Sequence, residues 1–184
     1  MSAHMTAAQS VLVLVDYQER LLPAIHDGAR VLAQGLRLGR VAHELGVPVL
    51  GTEQNPRGLG PNAAALRDLC GQTLAKMHFD ACEDGLIDAV RRARTPAAAD
   101  VVVAGCEAHV CLLQTALGLL RAGWRVWVVS DACGSRLASN HALAMERLRG
   151  AGATVVSYEM VAFEWLHSCG HTRFKAVLQH LREP

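Results

Sequence analysis

The stretch V-V-V-A-G-C-E-A-H-V-C-L-L-Q-T-A-L-G-L-L-R-A-G, residues 101–123, joins an apolar strand pattern to an apolar helix pattern. The β-branched start, Val101–Val103, predicts a strand, and the spaced leucines that follow predict a helix ending at Gly123. Parallel α/β proteins build their sites where a strand ends and a helix begins. Cys111 lies at this helix start, where free N–H groups and the helix dipole favour a thiolate and predict a lowered pKa. A small buried cysteine that only packs is the alternative.

Strand and helix patterns alternate along the rest of the chain. Continuous apolar runs such as Val11–Val15 are typical of strands buried on both faces of a parallel sheet. We expect strands at 11–15, 47–50, 73–79, 101–103, 124–130 and 154–157, and helices at 29–45, 63–69, 83–93, 112–120, 138–150 and, in segments, 158–181. This order predicts an α/β fold with three α/β/α layers, Rossmann-like, with a parallel sheet of about six strands. The length of 184 residues fits a single domain, residues 1–184.

Composition and charge argue against several classes of function. The net charge is +1 without a long basic block, so nucleic acid is not an expected partner. No apolar run approaches the ~18 residues of a membrane span. Six scattered cysteines and no signal-peptide pattern predict reduced thiols and a cytoplasmic location. Hydrophobic residues make up 51% of the chain, which favours a homo-oligomer. The first strand lacks a following G-x-G-x-x-G, so no dinucleotide cofactor is expected.

Three polar side chains follow separate predicted strands. Asp16 ends the first strand, Lys76 lies in the third, and Cys111 follows the fourth. Because parallel strands end at the same edge of a sheet, we expect these side chains to converge. A cysteine nucleophile needs a base, an aspartate can take and return its proton, and a lysine stabilises both groups. A helix-capping role for Asp16 and a solvated surface charge for Lys76 are the alternatives.

At these positions the sequence resembles the isochorismatase-like cysteine hydrolases. The D-x-Q of Asp16–Gln18, Lys76 and the glycine-to-cysteine turn of Gly105–Cys111 are similar to that family's motifs. Within the family, the T-E-Q-x-P-x-G-L-G-P loop of Thr52–Pro61 and the D-A-C-x-S-R of Asp131–Arg136 resemble the isochorismatase domain-containing subgroup. The resemblance covers nearly the whole chain.

The resemblance implies a metal-independent hydrolase of a small amide-type C–N bond. It implies a catalytic triad of Asp16, Lys76 and Cys111, a thioester on the cysteine, and an oxyanion hole formed by the N–H groups of Glu107 and Cys111. It also implies a cis peptide between Cys106 and Glu107. Nicotinamidases of the family carry a D-x-H metal element where this chain reads Glu53–Asn55, so no metal is expected. A non-catalytic interaction protein and a thiol redox sensor are the alternative functions.

Loop position suggests further residues near the site. Four tentative pocket candidates follow the first strand, the second strand or Lys76: Gln18, Gln54, His78 and Phe79. Glu53 and Asn55 are weaker candidates on the same grounds. Two features argue for other chemistry: His109 near the cysteine, and the possible metal ligands of His167–His171. We expect His109 to pack or to line the rim, and we do not expect a metal at His167–His171, because no second ligand cluster accompanies it.

Overall fold

A six-stranded, all-parallel sheet forms the centre of the protein in a computed structural model that describes residues 4–93 and 99–182. The strand order is β3-β2-β1-β4-β5-β6. The strands are β1 (Ser10–Val15), β2 (Val49–Gln54), β3 (Gln72–Lys76), β4 (Asp100–Cys106), β5 (Arg125–Gly134) and β6 (Thr154–Val156). The chain runs outward in one direction from β1 to β3 and in the other from β4 to β6. A crevice therefore opens at the carboxyl ends of β1 and β4, where the order reverses.

Helices cover both faces of the sheet. They are α1 (Gly28–Glu44), α2 (Pro56–Leu59), α3 (Ala64–Arg67), α4 (Leu86–Ala93), α5 (Cys111–Arg121), α6 (Ala138–Gly150), α7 (Tyr158–Leu166) and α8 (Phe174–Arg182). One hydrophobic core joins the sheet to α1, α3, α7 and α8, and a second joins it to α4, α5 and α6. The predicted three-layer α/β/α fold with six parallel strands is confirmed.

The central strand shows why the apolar runs predict this architecture. Leu12 and Leu14 of β1 pack into one core, while Val11, Val13 and Val15 pack into the other. All five side chains are fully buried. A strand covered by helices on both faces needs apolar residues at every position, because successive side chains point to opposite faces.

Several element boundaries differ from the sequence-based expectations. β2 continues to Gln54 through Gly51–Glu53, which we expected to be mostly loop; its polar end is held by pairing with β1 and β3. β3 stops at Lys76 rather than at Phe79, and β5 extends to Gly134. The expected helical region 158–181 consists of α7 and α8 with a break between them. Within the described ranges, no helix is both long and apolar enough to cross a bilayer.

Candidate functional site

A buried ion pair lies at the crevice between β1 and β4. Lys76 Nζ is 2.8 Å from Asp16 Oδ2, and both side chains are fully buried. The ammonium group also donates to Gln54 Oε1 at 2.6 Å and lies 3.4 Å and 3.5 Å from the carbonyl oxygens of His78 and Phe79. Charges this deep in a protein require compensation, which these oxygens provide for the lysine. The structure thus brings the predicted aspartate and lysine together.

The end of β2 holds the Asp16 carboxylate in place. Thr52 Oγ1 donates to Asp16 Oδ1 at 2.6 Å, and the Asp16 N–H donates to the Thr52 carbonyl at 3.2 Å. Asp16 adopts φ 51°, in the left-handed region that aspartate tolerates better than most residues. Its other oxygen, Oδ2, accepts no well-directed hydrogen bond from any residue that the structure describes, apart from the ion-pair contact. One carboxylate oxygen is therefore fixed by a hydroxyl, and the other is open to a further proton.

Cys111 is the first residue of α5 and lies beside this pair. Its side chain is 6% exposed, and Sγ is 3.7 Å from Gln54 Oε1, the oxygen that also accepts from Lys76. The charges of Asp16 and Lys76 both act on the thiol, in opposite directions. The three predicted catalytic side chains consequently form one cluster, with Gln54 between the lysine and the cysteine.

The thiol of Cys111 is neutral at physiological pH in this environment. Burial raises its pKa from 9.0 to about 12, and the Asp16 charge adds to the increase, while Lys76 opposes it. Desolvation disfavours a thiolate, and a neighbouring carboxylate repels it. The sequence-based expectation of a lowered pKa at the helix start is therefore wrong for the free site.

The turn before Cys111 has a specific backbone geometry. Gly105 has φ 140°, and a Cβ atom there would lie 2.0 Å from the carbonyl oxygen of Val15, so only glycine allows β4 to approach β1 this closely. A cis peptide links Cys106 and Glu107, as the resemblance implies. Neither the Glu107 N–H nor the Cys111 N–H donates to a carbonyl among the described turns and helix caps. Both N–H groups therefore remain candidates for the oxyanion hole that the resemblance implies.

Comparison with known proteins places this arrangement in a family. The family model described as the isochorismatase domain matches residues 10–160, most of the chain. The chain belongs to the isochorismatase family. That match spans all three predicted catalytic residues and the turn between β4 and α5.

Two curated relatives agree with this assignment, and a solved structure shares the fold. The chain is 36% identical to isochorismatase domain-containing protein 1 of Danio rerio over 95% of this chain, although it spans only 61% of that relative's length. It is 32% identical to isochorismatase domain-containing protein 2A of Mus musculus, covering 95% of this chain and 84% of the relative. The structure of MAR1 ribonuclease from Caenorhabditis elegans superposes with a TM-score of 0.91 at 29% identity, covering 98% of this chain and 93% of that one.

The tentative pocket residues of this isochorismatase-family chain have different environments. Gln18 is fully buried, and its amide nitrogen donates to the carbonyls of Gln54 and Gly60 at 3.0 and 2.6 Å. Its oxygen accepts from the Gln54 N–H at 2.9 Å, so Gln18 braces the end of β2 instead of facing a ligand. His78 is exposed and pairs with Asp84 at 3.1 Å, which raises the pKa of its imidazole.

The residues after Lys76 reach the site through their backbone. Phe79 is 49% exposed, and its carbonyl rather than its ring faces the lysine. Glu53, a weaker candidate, accepts from the Asn62 N–H at 2.8 Å. Thr52 is the site residue that the sequence reasoning missed. Its position in a T-E-Q run at the end of β2, next to the strand that carries Asp16, was the available signal.

The other candidate ligands contact different partners. His109 Nδ1 lies 3.0 Å from Ser135 Oγ, and its Nε2 lies 3.3 Å from Asn140, so both ring nitrogens have partners other than Cys111. His171 Nδ1 accepts from the Arg173 N–H at 3.0 Å, and Cys169 is exposed and free. Across residues 4–93 and 99–182, no three histidine, cysteine or carboxylate side chains stand close enough to share a metal ion.

Proposed function

We propose that the chain is a metal-independent cysteine hydrolase that cleaves a small amide-type C–N bond through a thioester on Cys111. The observation that supports this proposal is the position of the Asp16 carboxylate, whose Oδ2 lies 2.8 Å from Lys76 Nζ and which acts electrostatically on the buried Cys111 thiol. A neutral thiol next to an ionised carboxylate is the arrangement that general-base catalysis requires. Family membership supports hydrolase chemistry on this scaffold.

The first half of the proposed reaction forms the thioester. Asp16 Oδ2 accepts the thiol proton as Cys111 Sγ bonds to the substrate's carbonyl carbon, and the electrons of the C=O bond move to oxygen. The N–H groups of Glu107 and Cys111 then donate to this oxyanion. Donors fixed toward developing charge contribute about 2.7–4 kcal/mol each in comparable sites. As the oxyanion collapses, the C–N bond breaks, and protonated Asp16 gives its proton to the leaving amine.

The second half releases the acid. Water adds to the thioester carbonyl while Asp16 takes one of its protons, and the C–S bond breaks with return of that proton to Cys111 Sγ. The net change is an amide plus water giving a carboxylic acid and an amine. Lys76 pairs with the Asp16 carboxylate between the proton transfers and attracts the negative charge that builds on sulfur. Thr52 holds the carboxylate in orientation throughout.

A mass-spectrometric trap tests this mechanism. Small primary and secondary amides are incubated with the protein, and the reaction is quenched in acid within seconds. We expect an acyl group on Cys111, followed by release of acid and amine. Cys111→Ala and Asp16→Asn should fold and show no turnover, whereas Cys169→Ser, which removes an exposed cysteine, should retain full activity. Turnover by either triad variant would refute the mechanism.

Two further outcomes of the same screen identify the alternatives. Binding of a partner protein without hydrolysis of any amide would favour an interaction protein, and reversible oxidation of Cys111 by peroxide without hydrolysis would favour a redox sensor. The pKa of about 12 argues against the sensor, because oxidation requires the thiolate. An RNA substrate belongs in the screen because the Caenorhabditis elegans relative is described as a ribonuclease. The net charge of +1 offers little attraction for phosphates.

We also propose that the protein acts as a cytoplasmic homo-oligomer. Met77 and Phe79, directly after Lys76, are 66% and 49% exposed, an unusual exposure for large apolar side chains beside a site. A second copy packing there would bury them and narrow the entrance to the triad. Light scattering of the wild type and of a Met77→Lys/Phe79→Lys variant tests this. A monomeric wild type would contradict it.

A further inference from the structure

A cavity of about 570 Å³ lies away from the triad, where the sheet becomes narrower. Strand β6 pairs only with Trp127–Val129 of β5, so β5 continues through Ser130–Gly134 beyond its neighbour. This half-open gap is lined by residues of the first turn of α1, of α6 and of the start of α7. None of Asp16, Lys76 and Cys111 lines it. Its volume is within the range of about 300–1,000 Å³ that is typical of small-molecule sites.

The cavity contains one carboxylate. Asp131 Oδ1 accepts from the Tyr158 N–H at 2.9 Å, which caps α7. In the described part of the chain, no cationic side chain forms an ion pair with Asp131; Arg30 acts on it only at longer range. Partial burial raises the pKa of Asp131, and Arg30 counteracts that shift. A half-buried carboxylate without a cation favours a ligand that brings one.

The cationic groups of the cavity are arranged separately from this carboxylate. Arg30 is engaged with Asp27 at 2.9 Å. Arg149 lines the cavity from the last turn of α6 and has no ion pair or side-chain hydrogen bond to any described residue. The remaining wall combines apolar residues, among them Val31, Val155 and Met160, with two histidines, His26 and His141, and three serines. One free carboxylate, one free guanidinium and a partly apolar wall therefore share a single space.

We propose that this cavity binds a small zwitterion with an apolar side chain, of the chemical class of a free α-amino acid. The ammonium group of such a ligand would pair with Asp131, its carboxylate with Arg149, and its side chain would cover the valines and Met160. A simple anion would leave the negative charge of Asp131 without a cation. A simple amine would leave the positive charge of Arg149 without an anion. The ligand that satisfies both charges carries both opposite charges itself.

Calorimetry with three matched probes tests the charge requirement. L-leucine carries both charges, N-acetyl-L-leucine lacks the cation, and L-leucinamide lacks the anion. The titrations use full-length Cys111→Ala protein, so that hydrolysis of the two amides cannot contribute heat. We expect L-leucine to bind at least tenfold more tightly than either derivative. Equal binding of all three, or binding of none at millimolar concentration, would overturn the proposal.

Paired variants locate the binding to this cavity. Asp131→Asn retains an oxygen that can cap α7 but removes the charge, and Arg149→Gln removes the guanidinium from an exposed position. Each should weaken L-leucine binding at least tenfold. Arg147→Gln removes the same charge from the same helix but outside this cavity, and it should bind normally. Unchanged binding in both cavity variants would disprove the assignment. Since all titrations lack the nucleophile, their failure would leave the proposed hydrolase mechanism untouched.

Discussion

Replacing Asp16 with asparagine should make Cys111 more reactive toward alkylating reagents while abolishing catalysis. In the wild type, burial and the Asp16 charge raise the pKa of the thiol from 9.0 to about 12, against the opposing effect of Lys76. Asparagine removes the negative charge and leaves Lys76 beside the sulfur. The pKa of Cys111 should therefore fall, and the thiolate fraction at neutral pH should rise. An unactivated, merely buried cysteine would show no such response.

The size of the effect follows from the thiolate fraction and its nucleophilicity. A pKa near 12 makes the thiolate about a thousandfold scarcer at neutral pH than a pKa of 9.0 does. The more basic thiolate is intrinsically faster, with a Brønsted slope of about 0.4–0.5, which leaves a net deficit of roughly 30- to 60-fold. We expect Asp16→Asn to recover at least fivefold of that deficit in alkylation rate. Its turnover should nevertheless be lost, because the general base that accepts the thiol proton and returns it to the leaving amine is gone.

Site-resolved alkylation by iodoacetamide provides the measurement. Peptide mass spectrometry follows Cys111 separately from the exposed Cys169 between pH 6.5 and 9.5. The wild-type rate at Cys111 should rise about tenfold per pH unit without reaching a plateau, whereas Asp16→Asn should react faster at every pH. Asp131→Asn, a carboxylate change away from the thiol, should match the wild type. A wild-type plateau below pH 8.5, or slower alkylation in Asp16→Asn, would refute the neutral-thiol mechanism.

Two other substitutions test the groups that support the triad. Thr52→Val removes the 2.6 Å hydrogen bond to Asp16. Because a hydrogen bond to a charged group contributes ~1.5–3 kcal/mol, kcat/KM should fall by roughly 10- to 100-fold. Thr52→Ser keeps the hydroxyl and should retain most of the activity in the same assay. Gly105→Ala should abolish folding or cost more than ~3 kcal/mol in urea denaturation, because its Cβ would overlap the Val15 carbonyl. Gly123 has φ 85° but open space around it, so Gly123→Ala should lower the free energy of unfolding by only about 1 kcal/mol. Equal losses of stability at the two glycines would contradict the argument that β4 approaches β1 closely at Gly105.

The parts of the fold that follow from local pattern could be predicted from the sequence. The apolar runs of β1 and β4 have no polar position to expose, so only a strand covered on both faces accommodates them. Their ends then place Asp16 and Cys111 at one edge of the sheet. The alternation of strands and helices was sufficient to predict six parallel strands in three layers.

The support of the triad depends on register, which sequence periodicity does not encode. Thr52 reaches Asp16 because it pairs with Val15 across β1 and β2, and a shift of one residue would point its hydroxyl to the other face. The polar T-E-Q run also resembles a loop more than a strand, so the sequence predicted that β2 would end before Thr52. His78 and Phe79 were expected near the pocket from their position after Lys76, but the sequence did not indicate that their carbonyl oxygens would face the lysine.

Burial raises the pKa of Cys111, and the burial of a side chain depends on the tertiary structure, which local sequence patterns do not give. A helix start alone predicts a stabilised thiolate, but α5 begins inside the protein and beside a carboxylate. The cavity beside β6 could not be predicted from the sequence either, because it results from the unequal lengths of the paired strands β5 and β6. Asp131 could be found in the sequence as the end of a strand, whereas the absence of a cation beside it could not.

The position of Lys76 on an outer strand links catalysis to local unfolding. β3 pairs only with β2, and most of its residues before Lys76 are exposed or half-buried. Outer strands open more readily than central ones, often without unfolding the rest of a domain. Each such opening would carry the ammonium group away from Asp16 and leave a buried carboxylate uncompensated. Mild denaturant should therefore abolish the proposed hydrolase activity while the central strands still protect their amide hydrogens from exchange.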